Sequence, residues 1–179
     1  NAWHYQLVSE TSCYWYWDNS ENGKWDSHPT RAANMAVSFA DKVIPTGADT
    51  VPPTIFMPQR DPYNPGGKEW ATTNEPSDFD VYTYAYDVNE LTSVKLFYRV
   101  TPKGTVGASN QVYDGTWTSV EMPKGSLPSA KTDPAPKYRA DEYRVKITGV
   151  TNSLVDYYVA AVDGKGLTAR SPIQHVYVG

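Results

Sequence analysis

The sequence holds a single cysteine, Cys13, in 179 residues. No intramolecular disulfide can form, and no thiolate cluster is available for a structural zinc site. Its three histidines, His4, His28 and His175, are scattered without metal-ligand spacing, so neither a metal nor another cofactor is expected. Positive charge is also scarce. Sixteen Lys and Arg against twenty Asp and Glu leave a net charge of −4, whereas a phosphate backbone is bound by clustered cations. Nucleic acid is excluded as an expected partner. No run of 18 apolar residues occurs, so no membrane-spanning helix is expected. Catalytic signatures are missing as well: there is no Gly-x-Ser-x-Gly elbow, no His-Glu-x-x-His, and no glycine loop leading to a helical lysine. The chain opens on Asn1 with neither Met nor an apolar leader, which reads as a processed product or a piece of a longer protein.

Aromatic side chains are abundant instead. They make up 13% of the chain, with 14 Tyr and 6 Trp, and four of the six tryptophans (Trp3, Trp15, Trp17, Trp25) fall within the first 25 residues. Tyr14, Trp15, Tyr16 and Trp17 are consecutive. A helix spreads four such rings around its axis and a strand alternates them, so they cannot all face one core. Some must reach solvent or a second packing surface, and exposed large aromatics mark binding surfaces. Flat rings interleaved with Asp, Asn and Glu suit a ligand with apolar faces and hydroxyl edges, which describes a sugar. The alternative is that the rings glue two subdomains together.

Two regions are visible. Residues 1–48 hold the aromatic segment, a polar turn Asn19-Ser20-Glu21-Asn22-Gly23-Lys24 and one helix. The helix is expected to start at Ser27 or Thr30 as N-cap, with Pro29 in the first turn. Ala32, Met35, Ala36, Phe39, Ala40 and Val43 recur at three- and four-residue spacing as its apolar face, and Pro45 and Gly47 end it. Residues 49–179 switch to short alternating runs separated by Pro, Gly, Asn and Asp. Strands are predicted near 54–57, 79–87, 93–100, 117–122, 142–148, 156–162 and 173–178, with Asp163-Gly164 turning the closing hairpin. The expected fold is mainly β: an immunoglobulin- or fibronectin III-like sandwich with the helical segment docked on it. Two long loops, Pro58–Asp78 and the Pro-rich Ala130–Lys137, interrupt the sandwich, and loops of that length are usually functional or disordered.

Few residues invite an enzymatic reading. Asp78, Asp80, Asp141 and Glu142 are plentiful acids, but acid/base work needs two carboxylates at a defined separation in a cleft. They read better as edge-strand charges that block pairing. Cys13 has His4 or His28 as possible partners, with nothing to orient them. The run Asp18–Gly23 begins like a calcium loop, yet Pro29 occupies the twelfth position where a bidentate acid belongs, so a surface turn is the better reading. Calcium elsewhere in the sandwich stays an open alternative. In the strand Val81-Tyr82-Thr83-Tyr84-Ala85-Tyr86, alternation sets Tyr82, Tyr84 and Tyr86 on one face and Phe79, Val81, Thr83 and Ala85 on the other. If the latter face the core, the tyrosines form either a sugar platform or, preferably, the dock for the helix. Trp15, Trp17, Trp25, Tyr63 and Trp70 remain as candidate stacking rings, with Arg60, Asp61 and Asn64 to fix hydroxyls. Trp117 reads equally as core.

The run Glu10-Thr11-Ser12-Cys13-Tyr14-Trp15-Tyr16-Trp17-Asp18, then Trp25-Asp26, then Thr30-Arg31-Ala32-Ala33-Asn34-Met35-Ala36, resembles the end of the catalytic region in glycoside hydrolase family 57 amylopullulanase-like proteins. The following Pro58-Gln59-Arg60-Asp61-Pro62-Tyr63-Asn64-Pro65-Gly66-Gly67 and the sandwich resemble the β-domain downstream in those bacterial enzymes. The resemblance implies an α-glucan context (starch, glycogen, pullulan or maltodextrin), a secreted, extracellular protein and tethering to a catalytic domain. The barrel with that family's nucleophile and acid is absent, so the resemblance implies a non-catalytic module that binds a polysaccharide or oligosaccharide. The competing expectation is a structural spacer or protein-docking module with its aromatics buried between subdomains.

Overall fold

The computed structural model describes residues 2–11, 13–14, 25–43, 49–105 and 111–179. Two compact units emerge, one of residues 1–49 and 127–139 and the other of residues 50–126 and 140–179. The Pro-rich loop thus belongs with the helical N-terminal region.

The helical unit contains α1 (Ala2–Ser9) and α2 (Ser27–Ala40). α1 was not anticipated in the sequence. Tyr5 of α1 lies parallel to Phe39 of α2, with centroids 5.6 Å apart. In α2 the N-cap is Asp26, without a side-chain cap hydrogen bond. Ser27 Oγ instead accepts from Asp133 N at 3.0 Å, and Thr30 Oγ1 donates back to Asp26 O at 2.7 Å. Ala32 and Ala36 are buried, whereas Met35 and Val43 are exposed, so the apolar face is narrower than predicted. A polar stripe at residues 27, 31, 34 and 38 shares the task. Arg31 donates to Asp133 O, Asn34 Nδ2 to Ala135 O, and Lys137 Nζ to Ser38 Oγ. These bonds bind the 127–139 segment along the helix. The predicted stop at Pro45 and Gly47 and the turn at 19–24 lie outside the described residues.

The second unit is the expected β-sandwich. In its first sheet β3 (Phe79–Tyr86) is central, paired antiparallel with β6 (Asp141–Ile147) on one side. On the other side β1 (Thr54–Ile55) and β2 (Gln59–Asp61) lie end to end. In the second sheet β4 (Leu91–Pro102) lies between β5 (Thr118–Glu121) and β7 (Ser153–Asp163). The far edge of β7 is shared by β8 (Thr168–Arg170) and β9 (Gln174–Val178). Both divided edges break at a proline, Pro58 or Pro172, which has no N–H to give to a ladder. The seven predicted strands are all present, and β2 and β8 are the short pieces not predicted.

Alternation builds the core. Phe79, Val81 and Ala85 from β3 meet Val94 and Leu96 from β4 and Val155, Tyr157, Val159 and Ala161 from β7. Met122 fills the end where the chain crosses from β5 toward β6, and Gly125 N donates to Glu142 O at 2.7 Å there. As expected, the Phe79 side of β3 is the buried one. On the opposite face, Tyr82 lies under the Arg144 guanidinium, 4.4 Å from its ring centroid.

Candidate functional site

β2 and the loop that follows it carry five of the eight predicted ligand-facing residues, and the loop is built on Arg60. This residue lies opposite Val81 in the β2–β3 register. Its Nε donates to Tyr63 O at 2.6 Å and its guanidinium carbon stands 4.2 Å from the Tyr63 ring centroid. Nη1 reaches inward to the Tyr157 hydroxyl at 3.4 Å. Burial pushes the Tyr157 phenol above its ordinary range, and the Arg60 hydrogen bond and charge oppose that rise. One side chain therefore joins the loop to the core and holds Tyr63 in place.

The rest of the loop is bonded to itself. Glu69 Oε1 accepts from Asn64 N at 2.8 Å, and Asn64 Nδ2 donates to Lys68 O at 3.3 Å. Gly67 N donates to Asn64 O, Glu75 N to Gly67 O and Gly66 N to Pro76 O. Gly179, just after β9, closes the base, its N donating to Pro65 O at 3.0 Å. Gly66 has φ +73°, and a Cβ there would collide with the Gly179 carbonyl oxygen. Only glycine satisfies both the left-handed backbone and the close approach.

From this braced loop two rings project into solvent. Tyr63 is 60% exposed and Trp70 is 100% exposed. An indole in full contact with water contributes no burial to the fold. The structure thus brings Arg60, Asp61, Tyr63, Asn64 and Trp70 into one segment. Arg60 and Asn64 brace the segment, while Asp61 and Lys68 are exposed on it. Trp25 lies in the helical unit, 49% exposed and tilted against Tyr14 with centroids 6.0 Å apart. Trp15 and Trp17 lie outside the described residues.

A second aromatic group, not recognised in the sequence, lies on the outer face of the other sheet. Phe97 stacks on Tyr158 at 5.0 Å, and Tyr113 and Trp117 meet the same ring edge-on at 4.9 and 4.8 Å. The Arg99 guanidinium covers Trp117 at 4.3 Å, and the indole N–H donates to Tyr113 O. Trp117 is therefore a packing residue of a small outer cluster. The spacing of Phe97 and Tyr158 did not reveal it because the residue 111–117 segment that covers them is remote in sequence.

The acidic residues considered for catalysis have structural partners. Asp78 Oδ1 accepts from Gly149 N, and Asp80 faces both Arg144 at 3.5 Å and Lys146 at 3.4 Å. Asp141 pairs with Lys124 and Glu142 with Arg144. Asp80 is on a central strand, so its charge answers two cross-strand cations and does not guard an edge. Cys13 is exposed, while His4 meets the Tyr5 ring edge-on and His28 lies tilted against Tyr14.

No protein-family model matches the chain. A curated relative does. The chain is similar to a protein named "Alpha-amylase" from Niallia circulans, 27% identical over 219 aligned positions. The alignment takes in 99% of this chain and 17% of that protein, so the chain spans under a fifth of its relative's length. No helix among the described residues is long and apolar enough to cross a membrane.

Proposed function

We propose that this chain is a non-catalytic carbohydrate-binding module of a larger, secreted amylolytic enzyme, and that it binds an α-glucan through exposed aromatic rings. The observation that carries this reading is Trp70, wholly exposed on a loop that Arg60, Gly66 and Gly179 brace, with Tyr63 exposed beside the same framework. A ring that adds nothing to its own fold and stands on a fixed base suits stacking on a pyranose, and Asp61 and Lys68 supply polar contacts for hydroxyls. The similarity to an amylase favours starch, glycogen or maltodextrin over β-linked polymers. The amylopullulanase-like motifs of glycoside hydrolase family 57 agree with that context. Trp25, in the helical unit, is a separate candidate ring, as are Trp15 and Trp17.

Affinity electrophoresis in amylopectin and pullulan, with pull-downs on granular starch, cellulose and chitin, tests the proposal. Retardation by α-glucan is expected. Trp70→Ala and Tyr63→Ala should each weaken it by about 1–3 kcal/mol, the usual cost of truncating an aromatic anchor, with the melting temperature of Trp70→Ala unchanged. Retention on cellulose or chitin alone would keep the module and refute the α-glucan. No retention on any polymer would replace this reading with a structural spacer.

A further inference from the structure

The turn between β7 and β8 and the loop between β3 and β4 lie against each other at one end of the sandwich. Leu91 pairs with Asp163 in the sheet, and Gly164 N donates to Glu90 O at 3.0 Å. A Cβ on Gly164 would stand 2.5 Å from Asn89 O, so the two loops are in direct backbone contact. Each loop contributes one aspartate, and a carboxylate oxygen of Asp87 and one of Asp163 lie within 4.8 Å of each other.

The two carboxylates differ in surroundings. Asp87 Oδ1 accepts from Asn89 N at 2.8 Å. Asp163 is 1% exposed, and its Oδ1 accepts from both Lys165 N and Leu167 N at 2.8 Å. Asp163 Oδ2 is buried and has no hydrogen-bond partner among the described residues. A buried carboxylate oxygen without a partner is costly, and a second carboxylate nearby adds repulsion. Among the described residues no Lys, Arg or His forms an ion pair with either aspartate, although the sandwich pairs Asp80, Asp141, Glu142 and Asp156 with cations. A missing positive charge is the simplest account of both facts.

We propose that Asp87 and Asp163 hold a divalent cation, with Asp163 Oδ2 as its innermost ligand. Hard carboxylate oxygens, with no sulfur or imidazole grouped with them among the described residues, select Ca²⁺ or its like over zinc or copper. The cation would tie the turn after β7 to the loop before β4, across the pair of long strands at the centre of the second sheet. This inference is independent of the sugar proposal, since the loop that carries Trp70 shares no residue with it.

The test compares wild type, Asp163→Asn and Asp87→Asn as full chains, by thermal melting in EDTA and in millimolar CaCl₂ and by calorimetric titration with CaCl₂. Asparagine keeps the Oδ1 bonds of either residue while removing the charge. In EDTA, Asp163→Asn should melt at or above the wild-type temperature, because an unpaired buried charge is gone. In CaCl₂ the order should reverse, with wild type rising by several degrees and both variants losing at least tenfold in Ca²⁺ affinity. If Asp163→Asn fails to fold, Asp87→Asn and the wild-type titration decide alone. No heat and no melting shift for wild type with Ca²⁺, Mg²⁺ or Mn²⁺ would overturn the proposal, as would an equal shift in wild type and Asp87→Asn.

Discussion

Asp156 sits on the outer face of β7 and is nonetheless buried, because the segment around Tyr113 and Trp117 covers that face. Its Oδ2 accepts from Arg99 Nε at 2.9 Å and its Oδ1 meets His175 Nδ1 at 2.6 Å. Arg99 also donates to Asp114 O and lies over Trp117. The carboxylate thus aligns a cation that in turn pins the covering segment. Removing it would leave the guanidinium in a site built for an ion pair, where breaking a buried pair costs about 3–5 kcal/mol. Asp156→Ala should show a loss of that size in urea unfolding, with the Trp117 indole more accessible to acrylamide quenching. Asp156→Asn should lose less, since it retains the shape and one of the two acceptor oxygens. Little of this was legible in the sequence. Alternation marks Asp156 and Tyr158 as outward-facing, which they are, but what covers them is separated by some forty residues.

At the scale of elements, period and punctuation carried most of the fold. Strand alternation placed Phe79, Val81, Thr83 and Ala85 inward, and Asp163-Gly164 turned the last hairpin, as the structure has it. The divided edge strands were missed although Pro58 and Pro172 mark both breaks, because pieces of three residues are too short for alternation to register. α1 was missed for another reason. Its sequence has Trp3, His4 and Tyr5 in succession, no acidic residue in the first turn, no basic residue in the last and a single buried residue, Ser9, and it is held by packing on α2, not by local propensity. In α2 the polar stripe, for which the sequence suggested no role, holds the 127–139 segment. Asn34 is the central tie, donating to Ala135 O at 2.9 Å and accepting from Lys137 N at 2.8 Å. Asn34→Ala should destabilise the helical unit by about 1–3 kcal/mol, the range for two hydrogen bonds with their partners left in place. Hydrogen exchange at Lys137 and proteolysis within residues 130–137 should accelerate, with β4 and β7 unaffected. An unchanged exchange rate at Lys137 would mean that the segment is held by other contacts.

For the whole molecule, the tyrosine-rich composition has a consequence beyond any single ring. The candidate sugar loop was legible as a loop with Tyr63 and Trp70, because length and aromatic content stood out from its proline and glycine frame. The attachment of that loop to the core through Arg60 and Tyr157 was not, since it depends on a contact across 97 residues. Tyr157, Tyr143 and Tyr158 all have phenols raised above the ordinary value, in each case chiefly by burial. An unfolded tyrosine ionises near pH 10, while these three keep their protons to higher pH in the folded chain. Between those values the folded state binds more protons than the unfolded one, so stability must fall as pH rises. Their contribution is complete below about pH 10 and is lost progressively above it. Urea midpoints measured from pH 8 to pH 11.5 should be flat at first and then decline, with no matching drop in a protein whose tyrosines are exposed. Tyr157→Phe keeps the ring in the core and removes the hydroxyl that receives the Arg60 hydrogen bond. It should lower stability at pH 8 by about 1 kcal/mol and make the alkaline decline shallower. It should also loosen Tyr63, so retardation in amylopectin should weaken while the indole of Trp70 stays in place. An alkaline slope identical to wild type would assign the decline to other tyrosines, and unchanged retardation would mean that Arg60 holds Tyr63 without help from the Tyr157 hydroxyl.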